Sequence, residues 1–91
     1  MELKYAFGQA LRELRMSKDL SQESIGASQS YVSDVERGLK TPSIEKLDEF
    51  ASNIGVHPVT ILAKSYLLKD ESLQPEILIA RLREELGLSE I

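Results

Sequence analysis

A chain of 91 residues with no cysteine implies a single small domain and excludes both a disulfide framework and a thiolate metal site. The hydrophobic fraction of 42% is ordinary for a globular protein, and no apolar run approaches the roughly 18 residues that span a bilayer. The net charge of −4 argues against a nucleic-acid partner, because DNA affinity depends on neutralised phosphates. The excess acid is concentrated late in the chain. Residues 1–40 carry six basic and six acidic side chains, whereas residues 68–91 carry three and six.

Two helices are predicted before residue 27. Apolar residues recur at helical spacing over residues 3–16, where Gly8 is an internal weak point. Ser21 then supplies a capping hydroxyl for a much shorter segment that Gly26 ends. Ile25 is the single strong core residue of this second segment.

The third predicted helix is the most informative part of the chain. Ser28 caps its start, Gly38 closes it, and Val32 and Val35 give it an apolar side. The opposite side carries only amide, hydroxyl and carboxylate groups, from Gln29, Ser30, Ser33 and Asp34. Such groups match the donors and acceptors on base edges in the DNA major groove, although an ordinary solvated helix face has the same composition.

Three more helices are predicted after the loop at residues 38–42. The fourth follows a capping Ser43, the fifth begins at Pro58 and the sixth at Pro75. The apolar sides consist of Ile44, Leu47, Phe50, Ala51 and Ile54 in the fourth helix and of Val59, Leu62, Ala63, Tyr66 and Leu67 in the fifth. No segment alternates apolar and polar residues, so the predicted fold is all-α, with five helices in a compact body and a sixth at the C-terminus.

The sixth helix carries an apolar stripe formed by Leu78, Ile79, Leu82 and Leu86. This stripe is too apolar to face water on a free helix. It either folds back on the bundle or pairs with another chain.

The sequence contains no catalytic pattern. It lacks a phosphate-binding glycine loop, a His-Glu-x-x-His motif and a Cys/His dyad. His57 is the only histidine and precedes Pro58, so a local cap or surface role is expected, and a metal site would need companions that are absent. We expect a non-enzyme without cofactor, metal, membrane partner or evident small-molecule ligand. Because no signal peptide opens the chain, we expect a cytoplasmic location.

Several short motifs together carry a family resemblance. They are Leu14-Arg15, Leu20-Ser21-Gln22-Glu23, Ser30-Tyr31-Val32-Ser33, Val35-Glu36-Arg37-Gly38, Thr41-Pro42-Ser43-Ile44 and Ile54-Gly55-Val56. In this order, over roughly residues 5–67, the chain resembles the Xre/Cro, phage-repressor type of helix-turn-helix regulator found in bacteria and phages. The resemblance implies a five-helix bundle whose second and third helices form the helix-turn-helix and whose third helix enters the major groove of double-stranded DNA.

The resemblance also implies roles for individual positions. Base contacts fall on Gln29, Ser30, Ser33 and Asp34. Phosphate contacts fall on Gln22, Ser28, Arg37 and Lys40. Apart from the resemblance, Tyr31 is expected to lie between the core and the DNA backbone, with its hydroxyl free for a phosphate or a neighbouring side chain. Arg15 and Glu36 match a structural salt bridge between the first and third helices. Two alternatives stay open, because Asp34 can instead pair with Arg37 three residues on and Lys40 can be a solvated loop lysine.

One departure concerns the second helix. Members of the family have about four more residues, roughly one helical turn, between the Ser-Gln-Glu start and the glycine of the turn. Either this helix collapses to a single turn here, or the preceding loop shifts to compensate.

The sequence therefore predicts a DNA-binding transcriptional regulator, by default a repressor acting as a homodimer on a palindromic operator. Residues 1–67 are the expected DNA-binding domain, and residues 68–91 are a connector and amphipathic dimerisation helix. The alternative is a protein-interaction module, or an antitoxin-type regulator, with weak or lost DNA binding.

Overall fold

Five α-helices and one 3₁₀ turn build residues 1–88, the part of the chain that the computed structural model describes. The helices are α1 (Leu3–Ser17), α2 (Gln29–Glu36), α3 (Ile44–Ile54), α4 (Pro58–Lys69) and α5 (Pro75–Glu85), and the 3₁₀ turn is Gln22–Ile25. No strand occurs among these residues, so the predicted all-α fold is confirmed. None of their helices is long and apolar enough to cross a membrane.

The predicted second helix is reduced to the 3₁₀ turn. Ser21 makes no capping hydrogen bond to the backbone, and its hydroxyl instead lies 2.6 Å from that of Ser24. Gly26 ends the turn in the left-handed conformation, with φ 101°. Ile25 is fully buried and anchors the turn to the core. Of the two outcomes expected for a shortened segment, the chain therefore takes the single turn.

One apolar core joins these elements. α1 and α4 pack side by side in opposite directions, since the amino group of Met1 approaches the carbonyl of Lys69 while Glu13 pairs with Lys64 at 3.1 Å. The largest fully buried apolar side chains come from every element except α5: Leu11, Ile25, Val32, Val35, Phe50 and Ile61. Burying one such side chain stabilises a fold by roughly 1.5–3 kcal/mol, so this core fixes the position of α2 on the bundle.

α1 and the end of α2 approach too closely for any side chain between them. A Cβ added at Gly8 would lie 2.5 Å from the carbonyl oxygens of Val35 and Glu36. Gly8, which the sequence presents as a weak point of α1, is therefore a point of direct backbone approach between α1 and α2. Gly38 allows a second close approach, because the Tyr5 ring covers it and its φ is 78°.

The buried side of α4 differs from the prediction. Ile61 and Ser65 face the core, and the Ser65 hydroxyl donates to the carbonyl of Ile61 at 2.7 Å. This hydrogen bond within the helix satisfies the polar group and lets it be buried. Three residues predicted to pack inward instead reach solvent, with exposures of 51% for Val59, 37% for Leu62 and 44% for Tyr66.

The apolar side of α3 agrees with the prediction except at its first turn. Leu47, Phe50, Ala51 and Ile54 are buried. Ile44 is 80% exposed. It lines an open apolar groove beside α1 and α4 rather than the core.

α5 contributes no buried residue. Leu78 and Leu82 are half-buried, whereas Ile79 and Leu86 are exposed by 58% and 68%. The predicted stripe therefore remains largely open to solvent in the single chain.

Candidate nucleic-acid interface

Local sequence signals define both ends of α2. The Ser28 side chain accepts the backbone N–H of Tyr31 at 3.2 Å, which satisfies one of the donors left free at a helix start. At the other end, the backbone N–H groups of Arg37 and Gly38 donate to the carbonyls of Ser33 and Val35. The helix is therefore limited to residues 29–36 and presents two turns.

The four residues predicted to contact bases lie together on the outer side of α2. At 100° per residue they span an arc of about 140°, and Val32 and Val35 occupy the opposite side. Gln29 and Ser30 are exposed, Ser33 and Asp34 are partly exposed, and both valines are fully buried. The helix thus has one buried apolar side and one exposed polar side, as a helix inserted into the DNA major groove needs.

A buried ion pair holds the C-terminal end of α2 against α1. The guanidinium of Arg15 donates to the carboxylate of Glu36 twice, from Nε at 2.7 Å and from Nη2 at 2.9 Å. Its Nη1 donates to the carbonyl of Leu20 at 2.8 Å. The side chains of Arg15 and Glu36 are only 9% and 2% exposed. The bond to Glu36 raises the pKa of Arg15 above its usual value, so the guanidinium stays charged inside the fold.

Two glutamines extend this pair to the outer face. The amide of Gln22 donates to Glu36 Oε1 at 3.0 Å, and the amide of Gln29 donates to Gln22 Oε1 at the same distance. A continuous chain of side-chain hydrogen bonds therefore runs from Arg15 in the interior to Gln29 on the outer face. Gln22, predicted to contact phosphate, supports Gln29 in this structure. This contact carries no sequence signal, because the two glutamines lie seven residues apart across a turn and no helical period connects them.

A cluster of opposite charges ends the outer face. The Asp34 carboxylate accepts from Arg37 Nη2 at 2.9 Å and lies 3.4 Å from Lys40 Nζ. The bond from Arg37 and then the bond from Lys40 lower the pKa of Asp34 below its usual value. Lys40 Nζ also lies 5.5 Å from the centre of the Tyr31 ring. Asp34 thus pairs with Arg37 and Lys40, which were expected to contact phosphates, and Lys40 also lies over Tyr31.

His57 takes the local role expected from its sequence position. Its Nδ1 accepts the backbone N–H of Val59 at 3.0 Å and caps α4. Within residues 1–88, no group of histidine and acidic side chains is arranged to hold a metal ion.

Known proteins are similar to this chain in both sequence and fold. The sequence profile of the HTH_3 helix-turn-helix family matches residues 11–61, which is more than half of the chain and includes α2. The chain belongs to this helix-turn-helix family. It is therefore a member of a class of DNA-binding transcriptional regulators, and the resemblance inferred from its motifs is confirmed.

The relatives of this helix-turn-helix protein are regulatory proteins, not enzymes. It is 32% identical to control protein C.BamHI of Bacillus amyloliquefaciens, over 66% of this chain and 80% of that protein. It is 30% identical to the immunity repressor protein of Bacillus phage phi105, over 74% of this chain and 49% of the repressor. The crystal structure of the restriction-modification controller protein C.AhdI from Aeromonas hydrophila superposes with a TM-score of 0.60 at 39% identity, covering 63% of this chain and 92% of C.AhdI.

Proposed function

We propose that this protein is a repressor that binds one palindromic operator as a homodimer and reads its bases with α2. The observation that carries the proposal is the polar outer face of α2, fixed on a buried apolar back by Gly8 and by the Arg15–Glu36 pair. The similarity to control proteins and to a phage immunity repressor supports a regulatory role. The proposed mechanism is occlusion of a promoter by the bound protein.

Gln29 has the chemistry to recognise adenine. Its amide uses one N–H on Gln22, and its Oε1 accepts no hydrogen bond from the described residues. One N–H and one carbonyl oxygen are thus left, which is the pair that binds adenine N7 and the adenine amine. Ser30 and Ser33 tolerate several bases, and the Asp34 carboxylate accepts from a cytosine amine.

Phosphate contacts are assigned to the residues that flank this face. Ser28, Tyr31, Arg37 and Lys40 flank the face by their positions along and after α2, and Gln22 keeps one amide N–H for a phosphate. Each phosphate neutralised by a cation contributes about 0.9 to the slope of log affinity against log salt. Two cations per chain give weak non-specific binding, so two copies on paired half-sites are needed for a tight complex.

The proposed dimer covers apolar surface that a single chain leaves open. We assign residues 1–67 to the DNA-binding domain and residues 68–91, of which 89–91 lie outside the described residues, to a connector and dimerisation helix. The contact surface on α5 consists of Leu78, Ile79, Leu82 and Leu86. A groove of about 540 Å³ on the body of the domain is lined by Leu3, Phe7, Pro42, Ile44, Leu47 and Leu62 among others. Exposed apolar surface of this kind marks a protein interface.

A second candidate function follows from the charge of the molecule. The net charge is −4, and the Asp34 carboxylate forms ion pairs with both Arg37 and Lys40 after the end of α2. These observations favour a protein-interaction module, or an antitoxin-type regulator, with weak or lost DNA binding.

Selection of bound sites from a random duplex library at low salt separates the two candidates. The proposed repressor enriches two-fold symmetric sites with half-sites one DNA turn apart, about 34 Å. Failure to enrich any sequence, with no retardation of random duplex in a gel, supports the interaction module instead.

A further inference from the structure

Asp34 lies where the base-reading face of α2 meets the cations that are assigned to phosphates. Its role in DNA recognition rests on the proposed function. Its carboxylate lies on the outer arc of α2, where a base edge is read. The same carboxylate holds Arg37 Nη2 at 2.9 Å and Lys40 Nζ at 3.4 Å. Those cationic N–H groups are the ones that a DNA phosphate needs.

We propose that Asp34 couples base reading to phosphate binding. On a duplex that presents a cytosine amine to Asp34, the carboxylate accepts from the amine and releases Arg37 and Lys40 to the phosphates. On a duplex without a donor at that position, Asp34 keeps both cations, and the protein neutralises fewer phosphates. Non-cognate DNA therefore lacks one base contact and also the phosphate contacts that depend on it.

Because the Asp34, Arg37 and Lys40 side chains are partly or largely exposed, replacing their ion pairs costs little free energy. The side chains of Arg37 and Lys40 are 63% and 55% exposed, whereas that of Asp34 is 26% exposed. Ion pairs between exposed groups contribute little to stability, so exchanging them for a cytosine amine on Asp34 and phosphates on the two cations costs little. Arg37 is the first residue after α2 and Lys40 comes three residues later, so both cations follow the C-terminal end of the proposed reading helix within one short loop.

Lys40 has a defined resting position when it is not on a phosphate. Its Nζ lies between the Asp34 carboxylate and the ring of Tyr31, whose centre is 6.3 Å from that of the buried Phe50. A cation over an aromatic face is held electrostatically. The free protein thus keeps this lysine against its own surface, which limits unspecific attraction to DNA.

A carboxylate that only oriented the two cations towards DNA would have the opposite signature, because its removal would weaken binding to every duplex. Substitution distinguishes the two roles better than acidification does. The hydrogen bond from Arg37 lowers the pKa of Asp34, so the carboxylate remains ionised in mildly acidic buffer.

The test compares Asp34→Asn and Asp34→Ala with Asp48→Asn by fluorescence anisotropy, on a random-sequence duplex and on the selected operator over a salt series. Asp48 is an exposed carboxylate on α3, so its substitution makes the same change in net charge. Beyond the effect of Asp48→Asn, we expect both Asp34 variants to bind random duplex about tenfold more tightly, with a salt slope steeper by up to about two units. Their preference for the operator falls at least about tenfold.

Arg37→Ala supplies the second arm. On random duplex it leaves the salt slope unchanged in the wild-type background and lowers it by about one unit in the Asp34→Ala background. Equal effects of the Asp34 and Asp48 variants, or weaker binding of both Asp34 variants to both duplexes, overturn the coupling while leaving the proposed function intact. Absence of any duplex binding by the wild-type protein at low salt overturns the proposed function and the coupling with it.

Discussion

Arg15 shows how one buried side chain determines the orientation of a surface helix. Its guanidinium contacts Glu36 at the end of α2 and the carbonyl of Leu20 just before the 3₁₀ turn. Three segments of the chain therefore meet at a single cation. Because Glu36 in turn binds Gln22 and Gln22 binds Gln29, loss of this cation disturbs the outer face as well as the core.

We predict that Arg15→Ala destabilises the fold far more than Lys40→Ala does. Removing Arg15 leaves a carboxylate that is 2% exposed without its cation, which costs about 3–5 kcal/mol. Lys40 is exposed, and its loss changes stability by about 0.5 kcal/mol or less. Urea unfolding followed by circular dichroism measures both, and equal midpoints for the two variants reject the structural role of the ion pair.

Lys40 is expected to matter for binding rather than for folding. On the selected operator, Lys40→Ala lowers the slope of log affinity against log salt by about one unit and leaves the order of preferred sequences unchanged. Lys69→Ala, an exposed substitution of equal charge at the end of α4, is the matched control and leaves the slope unchanged. An unaltered slope for Lys40→Ala refutes the phosphate contact.

At the scale of the element, α2 is placed by backbone contact as much as by its own side chains. The valines bury its back, and Gly8 allows α1 to touch the carbonyls of Val35 and Glu36. The orientation of the proposed reading face is therefore set by a residue on another helix. A glycine in the interior of a helix, normally destabilising, is required here by that close approach.

We predict that Gly8→Ala destabilises the protein by about 1–3 kcal/mol and weakens operator binding, although alanine is the better helix former. The added Cβ meets backbone oxygens at 2.5 Å, so α2 must shift away. Ser52→Ala, exposed in α3, is the control for a helix-favouring substitution without a clash. A gain in stability for Gly8→Ala, measured by thermal unfolding, contradicts this close packing.

The ends of the elements were more predictable from sequence than their packed sides. Ser28 and Gly38 act locally, and their positions alone locate α2. The predicted buried side of α4 is wrong, because Val59, Leu62 and Tyr66 also satisfy helical spacing. The buried Ser65 gives no apolar signal in the sequence. The network of Gln22 and Gln29 depends on how the 3₁₀ turn sits under α2, which only the tertiary structure supplies.

At the scale of the whole molecule, the apolar stripe of α5 remains largely exposed to solvent. Across residues 1–88 the molecule measures 46 × 25 × 23 Å, and none of the residues of α5 is buried. In the proposed homodimer, which covers this stripe, a two-fold axis relates the two copies of α2 as it relates the half-sites of a palindromic operator.

We predict that the double substitution Ile79→Ser and Leu86→Ser dissociates the dimer and lowers operator affinity. Both side chains belong to the stripe and are exposed in the single chain, so the change removes apolar contact area between copies without opening the core. Ile77→Ser is the matched control, because Ile77 is 61% exposed on the other side of the same helix. Sedimentation at high micromolar concentration tests this, and a wild-type mass of one chain refutes the dimer.

Base reading by the outer face of α2 is tested most directly by repeating the site selection with Gln29→Ala. The side chain of Gln29 is exposed and, among residues 1–88, is held by Gln22 alone, so its truncation leaves the core intact. Loss of one two-pronged base contact relaxes the preference at one base pair in each half-site, by about 1–3 kcal/mol, and leaves the other positions unchanged. A sequence profile identical to that of the wild-type protein contradicts base reading by this face.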